Sequence, residues 1–128
     1  MTNYKISDKL YYTLDRDNVD IAFNSVELND GSNCCLAKIH LNKYYLNYTF
    51  EVDCGKPNSV KELEDNLAKA VENFIGGDDS LITYKLADEY FRKHLEKISI
   101  RDAIDYGEVI GDALICLRDV LKTYQGDV

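Results

Sequence analysis

The chain has 128 residues, with 23 acidic and 15 basic side chains and a net charge of −8. That length suits one domain with a hydrophobic core of its own, and the 45% apolar share is too high for a disordered acidic tail. Direct binding of nucleic acid is not expected, because it needs Lys and Arg to neutralise phosphates. The N-terminus has no apolar run of signal-peptide length, and no stretch approaches the roughly 20 apolar residues of a membrane span. We therefore expect a cytoplasmic protein without membrane contact, from a bacterial or phage-infected host cell, since the frequent Lys, Asn, Tyr and Ile residues use AT-rich codons.

Residues 1–56 alternate between apolar and polar positions, which predicts antiparallel strands. Asp30-Gly31 and Asn42-Lys43 are interpreted as two-residue turns, and a bulge at Asn24-Ser25 keeps the apolar positions in phase. The expected result is a four-stranded meander with strands near 9–14, 19–28, 33–41 and 44–52. Its register pairs Val19 with Leu41, Ile21 with Ile39, Phe23 with Ala37, and then Ile39 with Leu46, Ala37 with Tyr48 and Cys35 with Phe50. The first strand has an alternative, because Ser7-Asp8-Lys9 also suits the start of a short helix that runs to Leu14.

Residues 59–125 follow a helical period instead. Ser59 and Glu62 form a capping box, and Gly76-Gly77 ends the first helix. A second helix is expected over about 80–97, and Ser99 followed by Asp102 caps the third. The third helix carries one narrow apolar stripe of Ala103, Gly107, Ile110, Leu114, Leu117, Leu121 and Tyr124. The prediction is a single α+β domain over 1–128, an N-terminal four-stranded antiparallel β-meander followed by three α-helices packed on one sheet face.

Two glycines four residues apart, Gly107 and Gly111, lie in that third helix. Each costs up to about 1 kcal/mol of helix stability relative to alanine. A closely packed neighbour is the simplest reason to keep both, and that neighbour is either another helix or a second subunit.

Catalytic and metal-binding signals are weak. Adjacent Cys34 and Cys35 point to opposite faces of a strand, and no cysteine has metal-ligand spacing, so no metal or cofactor is expected. Cys35 and Cys116 are interpreted as small core residues. A pair of Cys54 with a histidine remains conceivable, but no local signature surrounds it. We therefore predict that the protein is not an enzyme.

Acidic side chains form one ordered group on the third helix. At about 100° per residue, Asp105, Asp112 and Asp119 fall within about 40° of one another, with Glu108 beside them. A solvated helix face explains any single one of these residues. The functional alternative is an electrostatic contact with a basic partner.

Ten tyrosines are the other unusual feature. The predicted register turns Tyr12, Tyr44 and Tyr48 inward and leaves Tyr11 and Tyr45 exposed. Exposed tyrosine is enriched at protein interfaces, although β propensity and codon usage explain the tyrosines equally well.

These features predict a non-catalytic protein-binding module that inhibits a basic or nucleic-acid-binding partner such as a nuclease. In size and charge the chain resembles small acidic inhibitors from phage and plasmids, including anti-CRISPR proteins, and bacterial toxin-immunity proteins. Asp105, Glu108, Asp112, Asp119, Tyr11 and Tyr45 are the candidate contact residues, on the acidic helix face or the outer sheet face. Two alternatives stay open. One is a small-molecule-binding or enzymatic domain with a sheet-helix cleft that uses His40, Tyr45 or Cys54, and the other is a homodimeric assembly protein.

Overall fold

A computed structural model describes residues 4–95 and 97–125, and the last two of these without their side chains. The elements are α1 (Asp8–Arg16), β1 (Val19–Glu27), β2 (Asn33–Lys43), β3 (Leu46–Asp53), α2 (Val60–Ile75), α3 (Asp79–Lys93) and α4 (Ile100–Gln125). The fold is α+β, as predicted, but its antiparallel sheet has three strands in the order β1-β2-β3.

The prediction of a fourth strand over 9–14 is wrong, because this segment forms α1. The Ser7 hydroxyl accepts a hydrogen bond from the backbone N–H of Leu10 at 3.4 Å, so the capping alternative is confirmed. Leu10 and Leu14, four residues apart, are buried. Tyr12, predicted to be core, is exposed between them. The helix therefore buries one narrow apolar stripe, where a strand would have buried every second residue.

The register between β1 and β2 is confirmed at Val19–Leu41, Ile21–Ile39 and Phe23–Ala37. The predicted bulge is absent from this ladder, which runs without interruption from β1 to β2. The connection is instead one residue longer than predicted. The N–H of Leu28 donates to the carbonyl oxygen of Ser32 at 2.7 Å, and Gly31 takes a φ of 84° in the loop that they close.

The turn between β2 and β3 lies two residues later than predicted, at Tyr44-Tyr45. The observed ladder pairs Ile39 with Phe50 and Leu41 with Tyr48. Moving the turn by two residues moves the partner of each β2 residue by four, an even number that preserves the alternation of faces, so Ile39 and Phe50 still point into the core. The predicted turn was wrong because it used the two most polar residues of the connection, Asn42 and Lys43, which continue β2.

The helix signals of the second half are confirmed. Ser59 caps α2 through a 3.1 Å bond from the N–H of Glu62, and Gly76 follows its last residue. Ser99 and Asp102 exchange hydrogen bonds of 3.1 and 3.5 Å at the start of α4. α3 has Asp78 as its N-cap and ends at Lys93, earlier than predicted.

The helices do not all lie directly on the sheet. α1 packs along β1, α2 and α4 cover the inner sheet face, and α3 packs chiefly on α4. One hydrophobic cluster joins these layers, and its fully buried members include Leu10, Leu14, Ile39, Leu41, Leu63, Leu67, Ile82, Leu86, Ile110, Leu114 and Leu121. In the part of the chain that the structure describes, no helix combines the length and apolar character needed to cross a bilayer.

Candidate partner-binding site

The acidic residues predicted on the last helix are exposed on α4. Asp105, Glu108 and Asp112 form no ion pair with another described residue, and together they make up the acidic face of the protein. Asp119 differs, because its carboxylate lies 3.2 Å from the guanidinium of Arg118. The structure therefore leaves three of the four predicted carboxylates available to a basic partner.

Arg118, which neutralises Asp119, is also paired with a carboxylate of another helix. Its guanidinium also donates two hydrogen bonds to the carboxylate of Asp79, the first residue of α3, with one at 3.0 Å. The hydrogen bond from Arg118 holds the pKa of Asp79 below its ordinary value, and Asp79 in turn raises the pKa of Arg118. The sequence signal missed this pairing because Asp79 lies 39 positions away in the chain.

The β2–β3 turn exposes two adjacent tyrosines. Tyr44 is 75% exposed and Tyr45 is 99% exposed. Both have left-handed backbones, with φ of 49° and 68°, as the type I′ turn of a two-residue hairpin requires. Tyr45 is exposed as predicted, although at the tip of the hairpin and not on the sheet face. Tyr44 was predicted to be core, which is wrong because the turn lies at its position.

A cleft of about 290 Å³ joins the turn to the acidic face. Tyr44 and Asp112 both line it, Asp17 adds a second carboxylate, and Lys43 adds one ammonium group. Its apolar lining consists of Leu14, Val19, Leu41, Val109, Ala113, Leu117 and Val120. Aromatic, apolar and acidic groups thus share one continuous surface. Sequence reasoning did not find the cleft, because the turn that defines it was misplaced.

Tyr11 lies elsewhere. It is exposed on α1, and its ring meets that of Tyr12 edge-on at 5.6 Å. Both line a separate groove of about 360 Å³ between α1 and β1, with Ile21 and Phe23. Tyr11 and Tyr45 are both exposed, as predicted, but they lie on different surfaces of the protein.

The outer face of the sheet is mainly polar and carries no tyrosine. It presents Asp20 and Ala22 from β1, Lys38 and His40 from β2, and Thr49 from β3. Because the tyrosine side chains predicted there lie on α1 and at the hairpin tip, this face has lost the aromatic groups that favoured it as a contact surface.

The residues of the enzymatic alternative are separated. His40 lies on the outer sheet face, where its Nδ1 is 2.7 Å from the hydroxyl of Thr49. Cys54 is buried on the inner face, and burial raises the pKa of its thiol to about 12. A thiol in that state is a poor nucleophile at neutral pH. The described residues also contain no group of three or more His, Cys, Asp or Glu placed to hold a metal ion.

No protein-family model, curated protein or solved structure matches this chain. Function is therefore inferred from the surface on which the Tyr44-Tyr45 turn, the cleft and the acidic face adjoin one another.

Proposed function

We propose that the protein is a non-catalytic inhibitor that binds a basic protein partner through the Tyr44-Tyr45 turn, the cleft and the acidic face. The observation that carries this proposal is the turn itself. A left-handed backbone costs an ordinary L-residue about 1–2 kcal/mol, and Asn-Gly is the usual solution in this type of turn. Tyr45 is almost fully exposed, and Tyr44 is 75% exposed with a cation–π contact from the neighbouring Lys43 at 5.3 Å. Neither tyrosine gains much from the core of its own chain, and retained strain of this kind is characteristic of binding sites.

The chemistry of the surface fits a basic partner. Tyrosine supplies contact area at low entropy cost and is enriched among the residues that dominate binding energy. The cleft accommodates the apolar stem of a lysine or arginine side chain. Asp17 and Asp112, which outnumber Lys43 among the charged residues of the cleft, would then meet its charged group. The remaining carboxylates, Asp105 and Glu108, would accelerate and orient the encounter.

Nucleic-acid-binding proteins are the class of partner with the required basic surface. An acidic inhibitor seated on that surface would exclude the nucleic acid. A nuclease or another defence effector is the partner we propose, with the inhibitor acting as an anti-defence protein of a phage or plasmid, such as an anti-CRISPR, or as a toxin-immunity protein. A local contact is favoured over imitation of a duplex. Carboxylates seven residues apart on a helix are about 10.5 Å apart, which is longer than the step between successive phosphates of a nucleic acid.

The test begins with affinity purification of the tagged protein from phage-infected low-GC bacteria, followed by mass spectrometry. The captured partner is then purified, and its affinity is measured against two triple variants. The first, Asp105→Asn/Glu108→Gln/Asp112→Asn, removes the acidic face. The matched control, Asp20→Asn/Glu27→Gln/Glu51→Gln, removes the same amount of charge from exposed positions on β1 and β3.

We expect the first variant to bind at least tenfold more weakly, with a smaller dependence on salt, and the control to bind as the unmodified protein does. The partner should also lose its nucleic-acid binding or cleavage when the inhibitor is added. Equal losses in both variants would show that net charge alone drives capture. A partner that keeps full activity when saturated with the protein would rule out inhibition.

A further inference from the structure

One edge of the sheet is open along β1. The strand pairs with β2 on one side, and in the sheet of the described residues nothing pairs with its other side. Two flanking hydrogen bonds define the phase of the ladder, from the N–H of Asn42 to the oxygen of Asn18 at 3.2 Å and from the N–H of Leu28 to the oxygen of Ser32. In an antiparallel ladder these bonds recur at every second residue. The even-numbered residues of β1 therefore bond to β2, and the odd-numbered ones, from Val19 to Glu27, direct their N–H and C=O groups to the open edge.

The open edge adjoins the groove between α1 and β1. Ile21 and Phe23 are only half-buried there. The rest of the lining is mainly apolar or aromatic, with two charged residues, and consists of Tyr4, Lys5, Ile6, Asp8, Tyr11, Tyr12, Leu14 and Val19. Inward side chains of a strand added to β1 would enter this groove. The groove thus provides apolar contacts for the same strand that the free backbone groups would hydrogen-bond.

We propose that β1 pairs antiparallel with β1 of a second copy of this chain, about a two-fold axis at Phe23. This register opposes Phe23 to its own copy, Ile21 to Ser25, and Val19 to Glu27. Every outward backbone group of the strand then has a partner. Moving the second strand by two residues in either direction would leave one outward-facing residue of each β1 strand without a hydrogen-bond partner.

The charges of β1 are compatible with a second copy as the occupant. Like charges directly opposite one another destabilise a strand pair. In the centred register Asp20 faces Val26 of the second copy and Glu27 faces Val19, so the two acidic residues of β1 avoid each other although each chain carries a net charge of −8. The centre of the strand, from Ile21 to Val26, also contains no charged residue and no proline, which are the usual protection of a free edge against pairing.

The experiment is sedimentation equilibrium of the full chain across a concentration series. We expect the mass to approach twice the 14.7 kDa of one chain. Ser25→Pro removes one outward N–H and leaves the ladder to β2 intact, since proline is tolerated where the N–H of an edge strand faces solvent. This variant should sediment as a monomer, and its circular dichroism and thermal transition should show that it is folded.

A pair of substitutions at one exposed position tests the register. Val26→Asp places a carboxylate opposite Asp20 at both ends of the paired strands, and Val26→Lys places an ammonium group there. We expect the first to weaken the dimer about tenfold and the second to strengthen it.

A chain that stays monomeric at every concentration would overturn the proposal and leave the groove to an extended segment of another protein. A dimer that survives Ser25→Pro would overturn it as well, because its interface would lie elsewhere. Equal effects of the two Val26 substitutions would exclude the centred register. The triple variant of the acidic face should dimerise normally, so this result and the proposed inhibition stand or fall separately.

Discussion

Gly107 of α4 lies directly against the backbone carbonyl of Thr83 in α3. A Cβ atom added to Gly107 would overlap that oxygen and would also lie 3.1 Å from the Cβ of Ala87. Gly111, one turn later, would place a Cβ 3.2 Å from the hydroxyl oxygen of Thr83. The neighbour that requires the two glycines is therefore α3 of the same chain, and not the second subunit that the sequence left open.

Alanine at these two positions should have different effects. Gly107→Ala meets a backbone oxygen that cannot rotate away, so α3 and α4 must separate, and we expect a loss of about 1–3 kcal/mol in the free energy of unfolding. Gly111→Ala meets a side chain that can change rotamer, and the gain of up to about 1 kcal/mol in helix propensity offsets the contact. Urea unfolding followed by circular dichroism measures both. Equal destabilisation of the two variants would contradict this account of the helix contact.

The Asp79–Arg118 pair should make stability depend on pH. The pKa of Asp79 is lower in the folded protein than the ordinary value near 3.8, so its contribution is full above about pH 4 and is lost as the pH falls through the folded pKa. Asp79→Asn should therefore be less stable than the unmodified protein at pH 7, and the difference should shrink as the pH falls below about 4. Asp88→Asn is the control, because the ion pair of Asp88 with Arg92 is exposed on both sides. A difference that does not change with pH would mean that Asp79 acts other than through its charge.

Local signals predicted much of this fold. Ser59, Gly76 and Ser99 mark helix ends through bonds within a few residues, and the alternation of β2 assigned Ile39 to the core face without knowledge of its partner. Such features depend on backbone geometry and burial near one position, which a single sequence records directly.

Features that depend on tertiary partners were not predictable in the same way. Cys116 was expected in the core and is exposed, because it lies outside the narrow apolar stripe that α4 buries. The neutralisation of Asp119 needs α3 and α4 to be placed side by side. The cleft depends on a turn at Tyr44-Tyr45 that no turn preference indicates, since tyrosine is unfavourable in the left-handed region.

The four thiols should differ sharply in reactivity. Cys116 is exposed, whereas Cys34, Cys35 and Cys54 are buried. Burial also raises the pKa of Cys35 to about 11 and that of Cys54 to about 12. Because the thiolate is the reactive form, a disulfide reagent at pH 8 should label one cysteine in the folded protein and all four in guanidinium chloride. Cys116→Ser should abolish the reaction of the folded protein, and rapid labelling of a second site would show that the core opens more easily than its burial indicates.

Substitutions in the Tyr44-Tyr45 turn should change partner affinity and folding stability in opposite directions. Tyr44→Asn/Tyr45→Gly replaces two residues in a disfavoured backbone conformation with the pair that a type I′ turn prefers. The free energy of unfolding should rise by about 1–2 kcal/mol, because the strain that is relieved at both positions exceeds the exposed cation–π contact between Lys43 and Tyr44 that is lost. The affinity for a captured partner should fall at least tenfold at the same time, because both aromatic contacts are lost. Stability is measured by urea unfolding and affinity by calorimetry.

Tyr11→Asn/Tyr12→Asn is the matched control, since it removes two exposed tyrosines from the groove beside β1 and should leave that affinity unchanged. A turn variant that binds the partner as tightly as the unmodified protein would remove Tyr44 and Tyr45 from the binding surface, and a loss of stability would show that these tyrosines support the fold.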